Sequence, residues 1–150
     1  MGLTVKSSYA LKALFELASL NTEGVKKVSI AELSERQHIP KDFLEKIFSE
    51  LREAGILKSI RGRYGGYVLI KSPESLKISE IVNVLDKPFQ SYECIEGQCK
   101  VDANCAVEFV WKRVHNAMMI ELNKMTLADV IKNGKILIKS SEGDQKYNEK

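Results

Sequence analysis

Between Pro40 and Ile70 the chain changes its hydrophobic period, and that change limits the fold more than any other feature. From Pro40 to Arg52 the apolar side chains are Phe43, Leu44, Ile47, Phe48 and Leu51, the three-and-four spacing of a half-buried helix. Past Gly55 the pattern gives way to two short β-rich runs, Ile56 to Ile60 and Tyr67 to Ile70, separated by RGRYGG. Glycines at 62, 65 and 66 are expected to supply the positive backbone torsions of a tight connection, so the segment reads as a hairpin. Pro40 is expected at the first helical position, which suits its fixed φ, and Gly55 at the helix end. The face opposite the apolar stripe carries Lys41, Asp42, Glu45, Lys46, Ser49 and Arg52, left for solvent or for a ligand.

Two helices are predicted before this point. Ser7 to Leu20 places Tyr9, Leu11, Ala13, Leu14, Leu17 and Ala18 on a stripe, with Asn21 and Gly24 as stop signals. Ser29 with Glu32 three residues on is a capping-box pattern, opening a short helix from about Ile30 to Gln37. After the hairpin, Ile78 to Leu85 is amphipathic, Cys94 to Asn104 is a polar loop, and Cys105 to about Lys124 is a long helix, roughly 30 Å at 1.5 Å per residue. Its apolar arc is too wide for one small domain to cover. Val107, Val110, Trp111, Val114 and Met118 are therefore expected to meet a second copy of the chain. Thr126 and Asp129 open a last short helix, expected to close at Asn133-Gly134, and the final residues have the composition of a flexible tail.

The fold class expected is mainly α with a small β-hairpin wing: a winged helix-turn-helix unit followed by a long dimerisation helix. The boundaries expected are 1–72 for the winged unit, 73–104 for a linking helix and cysteine loop, 105–134 for the dimerisation helix and short C-terminal helix, and 135–150 for the tail. In such a unit the helix from Lys41 can lie in the major groove. The hairpin tip would then deliver Arg61 and Arg63, beside Tyr64, to backbone or minor groove.

Charge supports that orientation once it is divided along the chain. The net +3 splits into +4 over residues 1–72 and −1 over the remainder. Lys58 to Lys71 holds four basic residues and no acid, whereas Asp86 to Glu108 holds five acids against two lysines. All three cysteines, Cys94, Cys99 and Cys105, lie in that acidic stretch. Three thiols so close together suit a soft metal or an iron-sulfur cluster. Structural zinc would call for a fourth closed ligand and usually a C-x2-C bite, neither of which is present. His115, almost three turns beyond Cys105, is badly placed to complete a site, and Glu108, one turn on, is better placed. Free or redox-switching thiols remain the alternative.

Catalysis has little to work with. Two histidines, no H-E-x-x-H, no G-x-S-x-G and no phosphate loop leave no visible hydrolase or transferase apparatus. No run approaches the roughly 20 apolar residues of a membrane span, no signal-peptide layout opens the chain, and an odd, low cysteine count is unlike a secreted disulfide scaffold. A cytoplasmic protein is expected.

The stretch IPKDFLEKIFSELREAGILKSIRGRYGGYVL (Ile39 to Leu69), together with three cysteines running directly into a long helix containing Trp111, resembles the bacterial Rrf-type transcription regulators. The likeness extends from Leu3-Thr4 to about Asn133 and is closest to the cluster-binding, IscR-like members. It implies a homodimer crossed through the long helix, bound to a roughly palindromic double-stranded DNA operator. It also implies an iron-sulfur cluster on Cys94, Cys99 and Cys105, 2Fe-2S ahead of 4Fe-4S, although the spacing does not fix the type. Arg61 matches the family's wing arginine, and Asp42, Glu45 and Ser49 lie on the matching recognition helix. IscR-like members carry a histidine where this chain has Glu108. Other members use an acid of the partner's first helix, at a position matched here by Ser8. The function implied is a cluster-sensing transcription regulator, most simply a repressor. The alternatives are a cluster-free thiol regulator of cysteine or sulfur metabolism and, from another class, an iron-sulfur carrier or redox protein.

Overall fold

The computed structural model describes residues 4–22, 27–86 and 106–135. Within them the chain forms α1 (Val5–Thr22), α2 (Ile30–Gln37), α3 (Lys41–Glu53), β1 (Leu57–Ile60), β2 (Gly66–Leu69), α4 (Ile78–Leu85) and α5 (Ala106–Lys124). A further helix, α6, covers residues 127–135. This is the mainly helical, single-hairpin architecture that the periodicity predicts. The Gly24 stop signal and the loop expected from Cys94 to Asn104 lie outside the described residues.

Local chemistry fixes the turns. Ser29 accepts a hydrogen bond from the Glu32 amide at 3.2 Å, the Ser half of the capping box, while the Glu32 carboxylate pairs with Arg36. α2 ends at His38 in the left-handed conformation (φ 51°), which lets the Ile39 amide reach back to the Ser34 carbonyl at 3.1 Å. Histidine is among the few non-glycine residues enriched there. The Ser34 hydroxyl donates to the Ile39 carbonyl at 2.6 Å, locking the same turn from its other side. Pro40 stands just outside α3 rather than at its first position. Its extended ψ of 128° aims its carbonyl at the Phe43 and Leu44 amides, and lacking an N–H it forfeits no bond there. At the other end Gly55 takes φ 73°, and the amides of Gly55 and Ile56 close on Arg52 and Leu51.

In the hairpin, Leu57 pairs with Leu69 and Ile60 with Gly66. Val28 joins the free side of β2 through reciprocal bonds with Tyr67, at 3.3 and 2.9 Å, and so sews the wing to the lead-in of α2. The expectation for the tip glycines is corrected at two positions. Of the three, only Gly62 has positive φ. A Cβ on Gly65 would stand 2.5 Å from the Ile60 carbonyl oxygen, and one on Gly66 2.7 Å from that of Val28. Those two glycines allow close backbone approach rather than an unusual torsion.

One core holds these parts together. Leu14 and Leu17 of α1, Leu33 of α2, Phe48 of α3, Leu57 of β1 and Ile81 of α4 are all essentially inaccessible to solvent. Phe48 meets Tyr67 of the wing edge-on, with ring centroids 5.0 Å apart, a favoured aromatic geometry. Leu122 and Leu127 reach the same core from α5 and α6.

The foot of α5 is clamped to the start of α4. The Ile78 amide donates to the Met125 carbonyl at 3.0 Å, the Leu127 amide to the Leu76 carbonyl at 2.9 Å, and the Ser79 hydroxyl to Asn123. Met118 and Met119 are half-buried against the core, whereas Val107, Phe109, Val110, Val114 and Ile120 are 45 to 66% exposed. The wide apolar arc therefore divides, one part covering its own domain and the other facing outward. α6 opens with a reciprocal Thr126–Asp129 cap. It does not close at Asn133-Gly134 as expected but runs to residue 135. Gly134 lies so close to α1 that a Cβ there would stand 2.5 Å from the Phe15 ring, so it serves helix contact rather than termination.

Candidate nucleic-acid interface and sensing segment

The first group of candidate residues lies on α3. Burial of Leu44, Ile47, Phe48 and Leu51 turns the opposite face outward. Lys41, Asp42, Glu45, Lys46 and Arg52 are exposed there and Ser49 is half-buried. Arg52 donates to the Ser49 hydroxyl at 3.4 Å and Ser49 to Glu53 at 3.2 Å, while Lys41 and Glu45 are 3.9 Å apart across one turn. Both signs of charge are thus presented. Cations suit phosphates, and carboxylates can accept hydrogen bonds from cytosine amino groups.

The second group is the wing tip. Arg61, Gly62, Arg63 and Tyr64 are all exposed, with Tyr64 at 74%. The Arg63 guanidinium stands 5.7 Å from the Tyr64 ring centroid. The Gly65 amide closes on the Gly62 carbonyl at 2.9 Å, which shapes the tip. Among the described residues no carboxylate comes within ion-pair distance of Lys58, Arg61 or Arg63. Lys71, the last cation of that basic stretch, is different. It pairs with Glu80 of α4, whose carboxyl is held below its ordinary range chiefly by that hydrogen bond. Within that stretch, the cations without an ion pair among the described residues are those of the hairpin, Lys58, Arg61 and Arg63.

Cys94, Cys99 and Cys105 lie outside the described residues, and the structure describes the two ends between which they run. At the far end, Glu108 forms an ion pair with Lys112 one turn along α5. Its carboxylate is therefore engaged with a cation. At the near end the Asp86 carboxylate receives the Thr4 amide at 2.8 Å and the Thr4 hydroxyl. Sequence reasoning missed that contact, because a pair 82 residues apart leaves no local pattern. Among the described residues no group of three or more His, Cys, Asp or Glu could hold a metal ion. Ser8 is exposed and lines a mainly apolar cavity between α1 and α6 with Leu11, Phe15 and Val130. Among the described residues no helix is long and apolar enough to cross a membrane.

Of the candidate interface residues on α5, Val107, Val110 and Val114 face outward, while Trp111 and Met118 are half-buried within their own chain.

Comparison with known proteins places this geometry. The sequence signature of Rrf2, described as an iron-dependent transcriptional regulator, matches residues 3–133. The transcriptional regulator IscR of Escherichia coli is 34% identical over 138 residues, covering 91% of this chain and 84% of that protein. Among solved structures, IscR of T. potens superposes with a TM-score of 0.71 at 32% identity, covering 89% of this chain and 88% of that one. CymR, the global cysteine regulator of B. subtilis, gives 0.70 at 30% identity, covering 89% and 98%. The family signature and the Escherichia coli relative are described as transcriptional regulators, and the B. subtilis neighbour as a global cysteine regulator. The chain belongs to the Rrf2 family of transcriptional regulators and is IscR-like.

Proposed function

We propose that this chain acts as a homodimer on a palindromic operator, most simply as a repressor, with an iron-sulfur cluster held by Cys94, Cys99 and Cys105 as its sensing group. The observation that carries the reading is the junction at the head of α5, where a run of three cysteines passes directly into a helix whose outer apolar face is uncovered within the chain. Residues 1–72 form the reading unit, 73–104 the link and cysteine loop, 105–134 the dimer-forming part and 135–150 a tail.

The donor set fits the group. Thiolates are the normal ligands of iron-sulfur clusters, three are supplied here, and Glu108 can add an oxygen in the fourth place once Lys112 releases it. When bound, the cluster supplies a group whose presence and charge follow iron supply, oxidants and nitric oxide. The protein's own residues do the rest. Lys41, Lys46, Arg52, Arg61 and Arg63 neutralise phosphates, Asp42, Glu45 and Ser49 face base edges, and Tyr64 supports the wing tip. Val107, Val110, Trp111, Val114 and Met118 set the distance between two reading units, to which operator affinity is sensitive.

Anaerobic purification followed by visible absorption and by iron and sulfide determination tests the cluster. Bound iron and sulfide with a thiolate-to-iron absorption band are expected, and a colourless, iron-free protein would sink the claim. A second reading, a cluster-free thiol regulator, is favoured by the Glu108–Lys112 pair and by the likeness to CymR. Operator binding unchanged by cluster removal but altered by thiol oxidation would decide for it.

A further inference from the structure

We infer that Asp86 is a positioning residue: it sets the first turn of α1 and, through Lys6 and Glu50, the recognition helix α3, so that one chain couples its cysteine run to its DNA-reading face. The inference rests on the reading above, that the run from Cys94 to Cys105 is the sensor.

Thr4 is the cap of α1. Its hydroxyl accepts the Lys6 amide at 3.2 Å and its carbonyl accepts the Ser8 amide at 3.3 Å. Most capping residues need nothing further. Here both donors of Thr4, the amide at 2.8 Å and the hydroxyl, point into the Asp86 carboxylate. α1 has no acid in its own first turn, the place where negative charge is favourable against the helix dipole. The chain supplies that charge from residue 86 instead, so the end of α4 dictates how α1 begins.

The same turn reaches the recognition helix. Lys6 Nζ lies 2.7 Å from the Glu50 carboxylate, with both side chains partly sheltered at 28 and 38% exposure. Glu50 adjoins Ser49 on α3, whose other face is locked in the core. Asp86 also stands at the end of α4, eight residues before Cys94. Its amide is bound to the Val82 carbonyl at 2.9 Å, and Leu85 beside it is 7% exposed, so the end of α4 is held. Asp86 is the point at which this held helix end meets the run toward Cys94, and its carboxylate carries the contact to Thr4. Three contacts thus connect the end of α4 to the reader: Asp86 to Thr4, Thr4 to the Lys6 amide, and Lys6 to Glu50.

The test uses the full chain and an operator fragment selected by the wild-type protein from a pool of random-sequence duplex DNA. Operator affinity is measured on anaerobically purified protein and again after cluster removal by chelation, or on reduced and peroxide-oxidised protein if no iron is present. The quantity read is the ratio between the two states. In Asp86→Ala and in Lys6→Met the ratio is expected to fall about fivefold or more toward one, and the double variant to fall no further than either. Asp86→Asn, which keeps an acceptor for the Thr4 amide, should retain most of the ratio. If Asp86 is only a cap, Asp86→Ala will lower the melting temperature and both affinities alike while the ratio stands, and the inference is overturned. Lys6→Met removes a partly exposed ion pair and should fold even where Asp86→Ala does not. A preserved ratio in Lys6→Met is equally fatal. A wild-type ratio of one refutes the sensing reading itself, and the inference with it, so the two failures are told apart.

Discussion

Phe48 and Phe109 are the same residue in two different situations. Phe48, in α3, has no exposure and meets Tyr67 edge-on, inside a unit whose helix ends, turn and wing are closed by hydrogen bonds of the same chain. Phe109, near the head of α5, is 66% exposed, and Val107, Val110 and Val114 on another side of the same helix are exposed as well. The reading unit completes itself within one chain, and the upper part of α5 does not. Stability should therefore be unimolecular in the first region and concentration-dependent in the second. Phe48→Ala is expected to cost about 3–5 kcal/mol by denaturant unfolding, irrespective of protein concentration. Val110→Asp should change little at low concentration, yet abolish the rise in midpoint with increasing protein that the proposed homodimer would give. Equal losses at every concentration would break the comparison.

DNA binding should divide along the same line. Arg61→Ala and Arg63→Ala remove charges that no carboxylate neutralises among the described residues. Each is expected to weaken operator binding by about 1–3 kcal/mol and to lower the salt slope by about one. Lys112→Ala, on α5 and already paired with Glu108, should leave the salt slope alone. Fluorescence titrations across a salt series would check both, and a slope reduced equally by Lys112→Ala would mean that α5 also lies against DNA.

Where α6 docks onto α1, the reading unit and the C-terminal part meet through a glycine. A Cβ at Gly134 would stand 2.5 Å from the Phe15 ring, so Gly134→Ala should destabilise by about 1–2 kcal/mol through overpacking, despite alanine's better helix propensity. Phe15→Leu in the same background should recover part of it. A stabilised Gly134→Ala protein would show that this contact is loose.

The two regions also differed in how far they could be read in advance. α2, α3, α4 and the hairpin were legible because their apolar spacing, Ser29, Gly55 and the tip residues act within a few positions of one another. α3 begins one residue after Pro40 rather than at it, and the tip glycines were placed correctly but given the wrong task at Gly65 and Gly66, where the Val28 backbone that crowds Gly66 comes from nearly forty residues upstream. Gly134 misled for the same reason, because a stop signal and a close-contact glycine look identical until Phe15 is in place. On α5 the width of the apolar arc was visible, but not its division, which depends on the clamp between Ile78 and Met125. The Thr4–Asp86 contact had no local signature.

The smallest expected effect separates two ion pairs of similar appearance. Lys71–Glu80 joins the base of the wing to α4, whereas Lys112–Glu108 stays within a single turn of α5. Glu80 also accepts the Lys77 amide at 3.2 Å, and its carboxyl is lowered first by the Lys71 hydrogen bond. A carboxyl lowered in the folded state stabilises above the unfolded group's pKa, and loses that contribution as pH falls through the folded value. Glu80→Gln should thus cost under about 1 kcal/mol near neutrality, given the exposure of the pair. The difference from wild type should vanish in acid, where the wild-type carboxyl is protonated as well. Glu108→Gln, which releases a contact inside one helix, should cost no more than about 0.5 kcal/mol. Paired thermal melts from about pH 7 to about pH 3 would check this. A Glu80→Gln difference that persists at the acid end would mean that the carboxylate works through shape or hydrogen bonding rather than charge, and the contrast between the two pairs would then rest on packing alone.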